Sequence, residues 1–372
     1  MRRRTFLGLL GSTTGLAGCL QAAPASDGDS ESGSQSLPVA RAELTRALAR
    51  DGIPAVVDPV FGSDWAGLSL EVLGPQGFTL TIEPRLSPDD RVIGVERDGQ
   101  ARAYPLSVLR WHEVVNDAFH GPLLVTYCPL CRSAVTAERT AGGRPATFGV
   151  SGLLWRHNLV LYDDRTESKW SQLTATAIRG PRTGDELALA PSTLTTWGAW
   201  QAAHPDTRVL RPPPESGTVT DAPPRNYQFD PYVGYAAGSG LGPRADRPTD
   251  DRLHPKTLVV GVRHGGAARA YPLPRVVEAG VVNDTVGGLP VVVTTGHGNT
   301  LVAYERTIGG RTYRFERSGD TLRTGDVRWN PTTGRALGDQ TNGYRLTPAA
   351  EVPPLYWFAW LDIAPETDIW TA

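Results

Sequence analysis

The chain has 372 residues, 37 Lys and Arg against 39 Asp and Glu, and a net charge of −2. That balance excludes a globally basic nucleic-acid surface, and three cysteines exclude a disulfide-rich scaffold. The length allows two to three domains, and 41 glycines with 31 prolines favour turns and short strands over long helices.

The N-terminus reads as an address. Arg3-Arg4-Thr5-Phe6-Leu7 fits a twin-arginine export signal, followed by an apolar run from Phe6 to Ala17 that is too short to span a bilayer. Leu16-Ala17-Gly18-Cys19 reads as a lipoprotein box, which makes Cys19 the lipidated first residue of the mature chain. The competing reading is a short N-terminal helix with a chance cysteine. Residues 1–19 are thus the signal, and 20–38, rich in Ala, Ser, Gly, Asp and Glu, a disordered tether. The expected location is extracytoplasmic, with lipid on Cys19 holding the body to the membrane surface as its partner. No nucleic-acid partner is expected. Twin-arginine export carries folded proteins, which mildly favours a bound metal.

Residues 39–84 form an N-terminal segment in which 40–50 reads as a helix. Beyond it the chain is duplicated. Arg85-Leu86-Ser87-Pro88 returns as Arg252-Leu253-His254-Pro255, a shift of 252 − 85 = 167. At the same shift Ala101-Arg102-Ala103-Tyr104-Pro105-Leu106 returns as Ala268-Arg269-Ala270-Tyr271-Pro272-Leu273, and Val115-Asn116-Asp117 as Val282-Asn283-Asp284. The copies span 85–210 and 252–372, joined by a Pro- and Gly-rich linker, 211–251, with an aromatic patch at Tyr227, Phe229, Tyr232 and Tyr235 that suggests partial anchoring. The fold class is α+β and β-dominated: two tandem homologous strand-rich units with short helices, packed with pseudo-twofold symmetry. Hairpin strands are expected at 92–96 and 102–104, strands at 123–127, 134–138 and 159–162, a helical turn at 106–111 and a short helix at 195–203. Asn116-Asp117 and Asn283-Asp284 suit Asx-type turns.

Features in both copies are most simply structural, and features in one copy are better candidates for chemistry. Copy one alone has His112-Glu113 and Cys128-Pro129-Leu130-Cys131; copy two has Gly296-His297-Gly298-Asn299 opposite the Cys turn. A C-x-x-C turn permits a metal knuckle, a reversible disulfide or an inert staple, and the spacing leaves all three open. His112-Glu113-Val114-Val115-Asn116 fails as a zinc-protease motif, because Asn replaces the second His and the Val pair favours a strand. His112 remains either a soft-metal ligand or proton carrier, oriented by Glu113, or a histidine hydrogen-bonded at a strand edge. If the copies approach about a twofold axis, Cys128, Cys131, His112 and His297 make a two-sulfur, two-nitrogen set suited to zinc or copper(I). His120, His157, His204, His254 and His264 are assigned solvent roles.

The run from His112 to Asp117, followed by Pro122-Leu123-Leu124-Val125-Thr126-Tyr127-Cys128-Pro129-Leu130-Cys131, resembles the DUF3179 family, a domain family of unknown function. Phe148-Gly149-Val150-Ser151-Gly152, Trp170-Ser171-Gln172 and His204-Pro205 extend the resemblance over most of residues 80–370. It implies that the Cys turn and His112 are family features and brings no activity. Three readings follow: a metal-binding lipoprotein, a thiol oxidoreductase using Cys128 and Cys131 with His112 as proton carrier, and a non-catalytic binding lipoprotein.

Overall fold

The computed structural model describes residues 37–74, 77–238, 240–242, 250–338 and 343–371. The export signal, Cys19 and the tether up to residue 36 lie outside the described residues. Among those described, no helix is long and apolar enough to cross a membrane.

The body is β-dominated. Its α-helices, α1 (Leu106–His112), α2 (Trp197–Ala203), α3 (Leu273–Ala279) and α4 (Trp357–Ile363), have seven residues each. Such short helices take their stability from packing rather than propensity. In α1 that packing comes from Leu106, Val108, Leu109 and His112, which are all buried.

The hairpin Arg91–Arg97 with Gln100–Pro105 starts copy one, and Leu258–His264 with Ala267–Pro272 starts copy two. Each hairpin lies between an antiparallel strand preceding an α-helix, Thr193–Thr196 or Leu355–Tyr356, and a parallel strand, Arg208–Leu210 or Asp368–Ile369. A second sheet contains Val114–Ala118, Pro122–Cys128 and Ser133–Glu138 in copy one, and Val281–Val286, Leu289–Gly296 and Thr300–Glu305 in copy two. In copy one Val56–Val57 extends it in parallel, and Gly217–Thr218 from the linker pairs with that strand. The linker therefore threads back into the body.

The polar bonds recur with the strands. Arg102 and Tyr104 meet Asp117 at 2.7 and 2.6 Å, and Arg269 and Tyr271 meet Asp284 at 2.7 and 2.9 Å. Asn116 and Asn283 each brace a distant backbone by pairing with the N–H and C=O of Phe148 and Phe315. Trp200 and Trp360 each donate to a threonine at 3.0 Å, Thr207 and Thr367. Each indole lies so close to a strand that a Cβ on Gly94 or Gly261 would sit 2.4 or 2.2 Å from it, which explains a glycine at both places.

Two expectations fail. Residues 40–50 are not a helix: Arg41–Glu43 is a single 3₁₀ turn and Leu44–Arg46 a strand paired with Phe148–Trp155. The Asn-Asp pairs do not form turns; they lie within Val114–Ala118 and Val281–Val286. Their side chains are still structural, as long-range braces.

Candidate functional site

Cys128 ends the strand Pro122–Cys128 and pairs in register with Ser133, so Cys131 lies in the tight turn between them. Copy two closes the corresponding turn with one residue fewer, since Gly296 pairs with Thr300. Both thiols are buried, at 1% and 0% exposure, and unbridged.

The two sulfurs differ in their surroundings. Burial pushes Cys128 up, but it accepts the Cys131 S–H and the backbone N–H groups of Cys131, Leu159 and Leu130; these donors outweigh burial and hold the thiol below its ordinary value. Burial, and the proton it offers Cys128, push Cys131 well above the ordinary value. Of the two, Cys128 is the thiol that loses its proton more readily, so the favoured thiolate is Cys128. The Cys131 thiol also reaches the His157 carbonyl at 3.4 Å.

A buried network fixes the turn. Gln172 accepts from Ser133 at 2.8 Å and Asn158 at 2.9 Å, and donates to Thr126 at 3.0 Å. Copy two closes the other side: the Tyr356 N–H donates to the Cys131 carbonyl at 3.0 Å. The linker roofs the site with half-buried Tyr232 and Tyr235. Lys256 pins that roof. Its ammonium donates to the Gly238 carbonyl at 2.9 Å and the Tyr235 carbonyl at 2.5 Å, and lies 3.4 Å from the Tyr235 ring centre.

Glu113 is the third member. It caps α1 in the left-handed region at φ 56°, where copy two uses Gly280 at φ 70°. A non-glycine residue held there costs about 1 kcal/mol or more, and such strain collects at functional positions. Burial pushes its carboxyl well above the ordinary range, and the nearby Cys128 pushes it further. A carboxyl that holds its proton more tightly than an ordinary one therefore stands near Cys128.

His112 does not join them. Its Nδ1 meets the Pro54 carbonyl at 2.8 Å and its Nε2 the Tyr227 hydroxyl at 2.9 Å, so both ring nitrogens are engaged. Glu113, expected to orient His112, lies by Cys128 instead. His297 is exposed, and its turn docks on copy one, where the Gly298 carbonyl accepts Arg91 at 2.5 Å. The two turns thus each dock on the other copy. The expected set of Cys128, Cys131, His112 and His297 is not assembled, and among the described residues no three His, Cys, Asp or Glu side chains are grouped to hold an ion.

The solvent assignment fails for His157 and His204, which are 2% and 8% exposed. His204 packs on Trp200, with centroids 4.1 Å apart, and its Nε2 is 3.9 Å from Glu96. Burial first, opposed by Pro54, brings His112 to about 4; burial, opposed by Glu96, brings His204 to about 4. The unfolded chain binds these protons near 6.5, so stability is full above 6.5 and falls as pH drops through the window from 6.5 to 4. At pH 5 each histidine is expected to cost about 2 kcal/mol. Urea unfolding at pH 7 and pH 5, with His112→Gln removing one share of the difference, checks this; equal stabilities at the two pH values refute it.

The profile of a family described as a protein of unknown function, DUF3179, matches residues 50–367. No curated protein and no solved structure matches the chain. The Cys turn, Glu113, the roof and all of the duplicated strands except Asp368–Ile369 fall within the matched span, and the chain belongs to the DUF3179 family.

Proposed function

We propose that Cys128 and Cys131 form a thiol–disulfide exchange centre in an exported protein, lipid-anchored through Cys19. The observation that carries this reading is the unbridged pair, buried yet wired so that one sulfur is the favoured thiolate. An inert staple has no need of such asymmetry, nor of a strained acid at Glu113.

In the disulfide form Cys128 is the better leaving group, because its thiolate is the stabilised one. A partner thiolate attacks the Cys131 sulfur, the S–S bond breaks and Cys128 leaves as thiolate. A second partner thiolate attacks the partner sulfur of this mixed disulfide. The partner disulfide forms, and Cys131 leaves and is protonated. The partner loses two electrons and two protons, and the Cys pair gains the electrons. Glu113, protonated beside the sulfurs, is the proton source for the departing Cys131. The Tyr232–Tyr235 roof must open for a partner to enter.

Equilibration in glutathione buffers, read by mass after alkylation, tests the reading. A reversible two-electron transition above about −300 mV is expected, and a lower potential indicates a structural bridge and overturns the proposal. A second reading, favoured by the two adjacent sulfurs, is a soft ion held by those thiolates alone. Copper(I) suits such a pair without His112 or His297, and zinc, which wants four ligands, suits it less. Stoichiometric copper(I) retained by wild type and lost in Cys128→Ser would favour it.

The repeated strands, the repeated Asp and Trp bonds and the reciprocal docking of the two turns also support two tandem homologous units related by a pseudo-twofold axis. Copy two acts as scaffold, closing the site with Tyr356.

A further inference from the structure

A recess separate from the thiol centre lies between the strand Leu44–Arg46 and the strands Lys169–Ser171 and Ala177–Arg179. It is open to solvent and lined by Leu44, Leu153, Arg41, Arg46, Lys169 and Arg179. Its one acidic lining residue, Glu167, is already committed: Arg50 donates to both carboxylate oxygens, at 2.6 and 2.9 Å. Lys169, one of two lysines in the chain, donates to the Glu167 carbonyl at 3.0 Å and stands 3.8 Å from its carboxylate. Arg179 spends one of its five donors on the Val39 carbonyl at 3.1 Å.

Four cations around one concavity repel one another, and Glu167, the one carboxylate among its described lining residues, is paired with Arg50. An anion of two charges relieves that repulsion and meets guanidinium forks built for planar, bidentate oxygen recognition. We propose that this recess is a binding site for a phosphate group, either a free phosphate or the headgroup of an anionic lipid. Arg41 and Arg46 precede the family-matched span, so this part of the site comes from the chain's own N-terminal segment. The proposal is independent of the thiol reading.

The test uses the chain with Cys19→Ser, so that no lipid is attached, and the same chain with Arg41→Gln/Arg46→Gln added, both arginine side chains being exposed. Calorimetric titration with inorganic phosphate at low salt reads one source. Flotation with phosphatidylglycerol vesicles, against phosphatidylcholine controls, reads the other. Saturable phosphate binding, weakened at least tenfold in the variant and by added salt, supports a free phosphate. Flotation with the anionic vesicles alone, lost in the variant, supports a headgroup. A Lys169→Gln chain, with an unchanged unfolding midpoint, must lose the same binding. Absence of both kinds of binding, or equal binding by the Cys19→Ser chain and its variants, overturns the proposal.

Discussion

Replacing Asp117 by Ala is expected to destabilise the protein by about 3–5 kcal/mol, a large share of a typical folding free energy. The Asp117 side chain is 4% exposed and accepts from Arg102, the Tyr104 hydroxyl and the Ala118 N–H. Its loss strands a buried hydroxyl and a half-buried guanidinium. The duplication supplies the control. Asp284 makes the same three kinds of bond, to Arg269, Tyr271 and the Thr285 N–H, but is 20% exposed, so water replaces part of what Ala removes. Asp284→Ala is expected to cost about 1–3 kcal/mol. Burial raises the Asp284 carboxyl, yet bonds from Arg269, Thr285 and Tyr271 outweigh burial and hold it below its ordinary value. Its contribution is therefore full above the ordinary carboxylate range and lost as pH falls through the folded value. Urea unfolding of both variants at neutral pH checks the order. An Asp284→Ala loss equal to or greater than that of Asp117→Ala refutes the burial argument.

Much of this fold is legible from self-comparison, because both copies satisfy the same polar groups with the same residues. The hairpins at 91–105 and 258–272, the helices after Pro105 and Pro272 and the Trp-bearing helices all follow from it. The helix expected at 40–50 fails because its Ala, Leu and Arg pattern competes with a free edge: Leu44–Arg46 gains a ladder with Phe148–Trp155 and packs Leu44 on a small cluster with Trp155. The Cys turn is visible as a spacing. The role of Glu113 is visible only as a contrast, a glutamate where the other copy has Gly280. Asn158, Gln172 and Ser133 carry no local signal, since their partners lie 14 to 39 residues away. The expected metal set fails for a reason that spacing does not reveal. Pro54 and Tyr227, one from before copy one and one from the linker, take both nitrogens of His112.

In the reduced protein, Cys131→Ala and Cys131→Ser are expected to part company. Both abolish the internal disulfide, so both lose all two-electron exchange. They differ at Cys128. Alanine removes the S–H donated to its sulfur, the first of the donors that lower it, and the Cys128 thiol rises from its depressed value towards 9.0. Serine keeps a donor and keeps the thiolate. Ultraviolet thiolate absorbance against pH checks this, and identical titrations of the two variants refute the hydrogen-bond origin of the shift. In wild type the depressed folded value of Cys128 means that stability grows as pH rises towards 9.0 and is lost as pH falls through the folded value; the raised Cys131 contributes the opposite, present below 9.0 and lost above it. The two contributions together are therefore greatest near pH 9.0. Stabilising the reduced form makes its disulfide a stronger oxidant, so the potential should lie above the roughly −270 mV of a strongly reducing thioredoxin-type pair. Glu113→Gly separates the roles of the acid. It relieves the left-handed strain and should raise stability by about 1 kcal/mol, while slowing the protonation that frees Cys131. A faster exchange rate in that variant would remove Glu113 from the chemistry.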